Sequence, residues 1–301
     1  MAFNWQTFRT RALTAILFVV VMLVGLLWNQ WSFFVLFSVI HFGCWWEYLQ
    51  IVEKIHKVKL HPYVKLGFMV LGYGLVLWCS GAFYKGGSSI YNINGYDLRG
   101  NFSFPVSIAG FVLLILGIFQ KTKIDLRSFG RAAAGLLYIS LSWGLFLTID
   151  IISRGSIKPH YFSVFIILTI WINDTMAYIV GSLIGKTPLT KISPKKTWEG
   201  TIGGIILAVI VMGIIASALR PSRDGFEWYL LAAVAAIAGT YGDLLESKLK
   251  RMALIKDSGH IMPGHGGFLD RFDSLLLAVP FCWVYLMIFL LSFSFLHGQT
   301  I

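Results

Sequence analysis

"TIGGIILAVIVMGIIASAL", Thr201 to Leu219, runs its whole length without a charged side chain. A helix needs about 17–25 mostly apolar residues to cross the hydrocarbon of a bilayer, and this stretch has that length. Apolar runs of the same kind recur at about 12–28, 31–46, 66–84, 104–119, 132–152, 161–185, 228–245 and 274–296. Of the 301 residues, 57% are apolar and 13% charged, against about 25% charged in a soluble domain. The expected fold is an all-α polytopic integral membrane protein of about nine transmembrane helices. Arg9 and Arg11 ahead of Ala12–Trp28 resemble the start of a secretory signal. The run is long, no A-x-A site follows it and more spans succeed it, so it reads as a signal anchor.

A formal charge of +11 would raise nucleic acid as a partner for a soluble chain. In a membrane protein the placement of the charge matters more, and no nucleic-acid partner is expected. With the N-terminus cytoplasmic, that side receives nearly all the lysines and arginines, including Lys54–Lys65, Lys121–Arg131, Lys186–Lys196 and Lys248–Arg271. The other side keeps Lys85, Arg99, Arg154, Lys158, Arg220 and Arg223. This bias predicts a cytoplasmic N-terminus, a C-terminus outside and residence in the cytoplasmic (inner) membrane. The expected division is an N-terminal transmembrane region, 1–103, with spans 1–3, and a middle hairpin, 104–159, with spans 4 and 5. The remainder, 160–301, is read as a catalytic transmembrane region, spans 6–9, with cytoplasmic loops 186–200 and 246–273. Cys44, Cys79 and Cys282 lie in apolar segments without metal-ligand spacing, which predicts packed thiols.

Ionisable residues stand out against this background. Asp174, in "IWINDTMAYIVGSLIG", falls near the middle of its span, where a carboxylate costs about 2.5–3.5 kcal/mol. It shares a small, polar helix face with Tyr178, Gly181 and Gly185. It either serves a function or hydrogen-bonds as glue between helices. "KISPKKTWEG", Lys191–Gly200, offers Lys195, Lys196 and Thr197 as donors to phosphate oxygens. Ordinary attraction to anionic lipid heads explains the lysines equally well, and Thr197 could instead open a helix. In "YGDLLESKLKR", a solvated Glu246–Lys250 pair accounts for two charges, whereas Asp243 is left deeper toward the membrane.

"MPGHGGFLDRFDS", Met262–Ser274, sits where the last span begins. Asp270 and Asp273 would cap that helix and offset its dipole. Capping alone leaves Gly264, Gly266 and Gly267 unexplained, as it does His265 and the nearby Lys256–Asp257. Glycines there would let backbone approach a ligand closely. Carboxylates from separate segments, with lysines and glycines, make a site for Mg²⁺ and phosphates: Asp243, Asp270, Asp273 and Asp174. Mg²⁺ is typically held by one or two carboxylates, waters and substrate phosphate oxygens. Two unit charges about 4 Å apart repel by about 4 kcal/mol at an effective dielectric near 20, so two anionic reactants need cations between them. No G-x-x-x-x-G-K-[ST] motif is present, which excludes a P-loop ATPase.

Residues 247–273, "SKLKRMALIKDSGHIMPGHGGFLDRFD", closely resemble the signature of the phosphatidate cytidylyltransferases, or CDP-diacylglycerol synthases. Ser247, Lys250, Arg251, Lys256, Asp257, Gly259, Pro263, His265, Gly266, Gly267, Asp270, Arg271 and Asp273 fall in register. Met262 replaces the family's Leu, Ile or Phe, an apolar exchange of similar volume. "NDTMAYIVGSLIGK" and "SPKKTWEG" are similar to other shared stretches of that family. The resemblance implies a reaction of CTP with phosphatidate, giving CDP-diacylglycerol and pyrophosphate. It implies that Asp243 and Asp270 hold Mg²⁺, with a second cation such as K⁺ nearby, and that Asp273 and Asp174 support them. Lys250, Arg251, Lys256 and Arg271, with Lys195 and Lys196, would neutralise the triphosphate and the lipid headgroup. His265, Gly266 and Gly267 would shape a phosphate-binding turn, with Asp257, Ser247 and Thr197 as further site residues. A homodimer among membrane lipids is also implied. Two alternatives stand beside this reading: a CTP-dependent lipid kinase of the same superfamily, and an ion-coupled transporter built around Asp174.

Overall fold

The computed structural model describes residues 5–80, 92–93, 96–120, 125–156, 160–219, 226–259 and 266–297. Among these, regular structure is helical apart from one two-residue antiparallel ladder, β1 (Asn92–Ile93) with β2 (Tyr96–Asp97). The helices are α1 (Trp5–Leu27), α2 (Gln30–His56), α3 (Pro62–Cys79), α4 (Ser103–Ile118) and α5 (Leu126–Gly135). They continue with α6 (Ser142–Ser156), α7 (Tyr161–Ile184), α8 (Trp198–Leu219), α9 (Phe226–Met252) and α10 (Leu269–His297). A π-helical turn, Leu98–Phe102, leads into α4, and another, Leu136–Leu141, joins α5 to α6.

Eight described helical stretches have the length and composition to cross a membrane. They match the second to ninth expected spans. In α1 the described apolar part, Leu13–Leu27, is shorter. The protein is an integral membrane protein. Along α8 the side chains of Ile202, Ile206, Ile210 and Ile214 recur every fourth residue and stay 44–56% exposed, a stripe suited to lipid.

Local chemistry sets the helix ends. Asn29 Oδ1 accepts from the backbone N–H groups of Trp31 and Ser32, each at 2.8 Å, and Ser32 Oγ accepts from Asn29 N–H at 3.0 Å, a reciprocal cap on α2. Lys57 closes α2 in the left-handed conformation, φ 54°, and Pro62 opens α3 at a position where its missing N–H costs nothing. The sequence predicts one uninterrupted fifth span. The π turn intervenes, and within it Ser140 Oγ accepts from Trp45 Nε1 at 2.8 Å and meets His41 Nε2 at 3.0 Å.

The chain forms two compact units. The first holds α1–α5, the start of α6 as far as Leu147, and Leu249–Phe272. Its core is aromatic: Phe33, Phe37, Trp143 and Phe146 stack around one another, and Phe272 lies edge-on to Trp143 at 5.6 Å. Gly110 of α4 lies so close to α3 that a Cβ there would stand 2.2 Å from Leu71 N, the small-residue contact by which membrane helices pack. The second unit holds Thr148–Lys248 and the chain from Asp273 onward. In it Trp228 of α9 is buried against Phe162 and Phe165 of α7, and a Cβ on Gly242 of α9 would meet Asp273 O of α10 at 2.5 Å. All three cysteines are buried free thiols, as expected.

Candidate active site

The segment from α9 to α10 is more helical than its polarity suggests. α9 continues to Met252, so Asp243, Glu246, Ser247, Lys250 and Arg251 all stand on one helix. Among the described residues the non-helical part is 253–259 and 266–268, within the expected loop 246–273. Leu, Glu and Lys are strong helix formers, so nothing in "DLLESKLKRM" stops the helix where hydropathy falls. The expected solvated pair also changes character. Glu246 is buried, and Lys250 reaches Asp270.

In the first unit, the Asp270 carboxylate is held from four directions. Its Oδ1 accepts from Lys250 Nζ at 2.6 Å, and its Oδ2 accepts from the backbone N–H groups of Ser258 and Gly267, both at 2.8 Å. Ser258 Oγ lies 2.9 Å from the same Oδ2. Asp270 occupies the first turn of α10, where backbone N–H groups favour an anion. Capping and site formation are therefore the same arrangement. Gly266 adopts φ +85°, open to glycine at no steric cost, and a Cβ there would press on Asp270 Oδ2 at 2.6 Å.

Beneath this turn lies Glu47 of α2, only 2% exposed. Its Oε1 accepts from Phe268 N–H at 2.9 Å and its Oε2 from Leu269 N–H at 2.8 Å. Ser258 Oγ is 2.6 Å from Oε2. A Cβ on Gly259 or Gly267 would stand 2.2 Å from a Glu47 carboxylate oxygen. These glycines make room first for the chain's own acids. The sequence reading missed Glu47. Ending the second span at 46 left this residue outside the membrane, although an acid inside "CWWEYLQIV", Cys44–Val52, is itself a signal.

In the second unit, Asp243 Oδ2 pairs with Lys196 Nζ, and Asp243 Oδ1 accepts from Ser247 Oγ at 3.2 Å. Asp174 is exposed on α7, within electrostatic reach of both Lys196 and Asp243. The loop before α8 fixes Lys196. Leu189 N–H donates to Lys196 O at 2.7 Å, and Glu199 accepts from the N–H groups of Lys186 and Thr187, each at 3.2 Å. Thr197 Oγ1 accepts from Gly200 N–H at 3.1 Å, so Thr197 opens α8 as the helix-entry reading expects.

The structure thus joins Asp174, Asp243, Lys196 and Ser247 in one group, and Lys250, Asp270, Gly266 and Gly267 in another. Asp273 is buried and accepts from its neighbour Ser274 N–H at 2.6 Å. Lys195, Arg251, Lys256 and Asp257 are exposed, and Arg271 is half-buried. His265 and Gly264 lie outside the described residues. Both groups offer hard carboxylate oxygens that already face a cation, the donor type Mg²⁺ takes. Among the described residues no group of three or more His, Cys, Asp or Glu is placed to hold a metal. Waters and phosphate oxygens would have to supply the remaining ligands, as is usual for Mg²⁺.

A model of the cytidylyltransferase family matches residues 9–289. The phosphatidate cytidylyltransferase of Bacillus subtilis (strain 168) is 34% identical over 188 residues, 61% of this chain and 69% of that protein. The phosphatidate cytidylyltransferase of Staphylococcus haemolyticus (strain JCSC1435) is 36% identical over 171 residues, 56% of this chain and 64% of that one. The chloroplastic phosphatidate cytidylyltransferase 4 of Arabidopsis thaliana is 44% identical over 103 residues, 34% of this chain and 26% of the plant protein. The chain spans about two thirds of the length of these bacterial relatives. Matched from its first helix into its last, this chain belongs to the cytidylyltransferase family.

Proposed function

We propose that this membrane enzyme transfers the cytidylyl group of CTP to phosphatidate, giving CDP-diacylglycerol and pyrophosphate. The relatives carry the name of this reaction, and the signature segment 247–273 agrees with it. The observation that carries the reading is the Lys250–Asp270 pair, 2.6 Å apart, set by three further contacts from Ser258 and Gly267. An acid and a base drawn from opposite ends of that segment are held together at the start of a membrane helix.

A lipid phosphate oxygen attacks the α-phosphorus of CTP in line. The new O–P bond forms as the bond to the β-phosphate oxygen breaks, and pyrophosphate leaves with the electron pair. No protein nucleophile is required, because the lipid brings its own. Asp243 and Asp270 are the residues that would hold Mg²⁺, which when bound supplies charge neutralisation between the two anionic reactants. Asp174 and Asp273 would support them, with a second cation such as K⁺ as a further source of positive charge. Lys196 and Lys250 are held at the two carboxylates, ready to share phosphate oxygens. Lys195, Arg251 and Lys256, all exposed, would draw in the triphosphate, and Arg271 would meet the headgroup. His265, Gly266 and Gly267 would contribute a phosphate-binding turn, with Asp257 and Thr197 as further site residues. The site faces the cytoplasm, where CTP is found, in a homodimer embedded in the inner membrane.

Purified protein given CTP labelled at the α-phosphate, with phosphatidate and Mg²⁺, is expected to move the label into lipid and release pyrophosphate. Without Mg²⁺ the transfer stops. Label recovered as free CDP, with a phosphate gained by the lipid, would instead make the protein a lipid kinase. An ion gradient dissipated in liposomes without consumption of CTP would make it a transporter.

A further inference from the structure

Glu47 has no place in the signature segment, yet it meets that segment at three points: Ser258, Phe268 and Leu269. A buried carboxylate is expensive unless fully hydrogen-bonded. A local Ser, Thr or Asp would satisfy the first N–H groups of α10 at lower cost. Here an acid from α2 does so, and the glycines at 259 and 267 are shaped around it. Glu47 also touches Asp270 through one shared group. Ser258 Oγ stands 2.6 Å from Glu47 Oε2 and 2.9 Å from Asp270 Oδ2. One hydroxyl carries one proton, so it donates to one acid at a time and couples the two. Ser258 is itself 3% exposed, which keeps water from substituting for it.

We propose that Glu47 is a positioning residue for the cytidylyl transfer: by gripping Phe268, Leu269 and Ser258 it aims the Asp270 carboxylate and its Lys250 partner at the reacting phosphates. The proposal rests on Asp270 being a magnesium ligand, as the proposed function has it. Glu47 touches no substrate. Its effect passes through the turn it holds, as groups behind a metal ligand commonly act.

The test uses the full chain in detergent, with Mn²⁺ alone as the probe, its binding read by electron paramagnetic resonance, and turnover measured separately. Glu47→Gln sets an amide NH₂ against groups that donate. It is expected to weaken Mn²⁺ binding and lower kcat by roughly 10- to 100-fold. KM for phosphatidate should stay within about threefold, and Glu47→Asp, which keeps the charge, should recover part of the loss. A purely structural role would lower thermal stability and leave Mn²⁺ binding intact in the folded fraction, and that result overturns the proposal. If Glu47→Gln yields no folded protein, Ser258→Ala decides. It cuts the link between the acids, and unaltered Mn²⁺ binding and kcat there count against the proposal. Wild-type protein that makes no CDP-diacylglycerol defeats the reaction reading, and this inference with it. Wild-type activity, loss in Asp270→Asn and normal behaviour in Glu47→Gln defeat this inference alone.

Discussion

Asp270→Asn is expected to lower CDP-diacylglycerol synthesis by on the order of 10³-fold, the scale of removing a preorganised electrostatic group. The exchange keeps the shape of the side chain and deletes its charge. An amide NH₂ must then face either Lys250 Nζ or the N–H groups of Ser258 and Gly267, donor against donor. Lys250, whose side chain is 14% exposed, loses its carboxylate partner in a site with little water. Removing one partner of a fully buried ion pair costs about 3–5 kcal/mol, and this partly exposed pair costs less. The bilayer still holds each helix, so the variant should extract in detergent as wild type does. Labelled-CTP turnover beside size-exclusion profiles of both proteins checks this. Wild-type rates in a folded Asp270→Asn protein would remove Asp270 from the reacting centre.

The second large effect is expected at Asp243. Asp243→Asn should cost roughly 10²- to 10³-fold in turnover. Lys196→Met, which keeps length and loses charge, should mainly raise KM for CTP, since a lysine that binds phosphate before and during reaction contributes uniform binding. The two side chains form an ion pair with Asp174 in electrostatic reach, so their effects should not add. The double variant is expected to be little worse than Asp243→Asn. Turnover of the four proteins gives the coupling directly, and losses that multiply would show that Asp243 and Lys196 act independently.

The membrane spans are legible in the sequence because hydropathy and length are local properties. Helix ends are less so. α2 runs ten residues past the expected end of its span at 46, to His56, and α9 seven past 245, to Met252, since polar helix formers extend a helix beyond the hydrocarbon. The π turn at Leu136–Leu141 leaves no mark on composition, and its reason is a contact between Ser140 and α2. Of the site, Asp174 and Asp243 draw attention because a charge near lipid is costly, and Asp270 because its neighbours resemble a known signature. Glu47 escaped for a physical reason. Its partner Phe268 lies 221 residues away, and no pattern within α2 announces that contact.

Central to this reading is divalent-cation binding by the Asp270 carboxylate at the start of α10. Anomalous diffraction from crystals grown with Mn²⁺ and CTP reads the cation's position directly. A metal is expected with an oxygen of Asp270 at roughly 2.1 Å, phosphate oxygens and waters completing its shell. An Asp270 carboxylate without metal, still paired to Lys250, would contradict it.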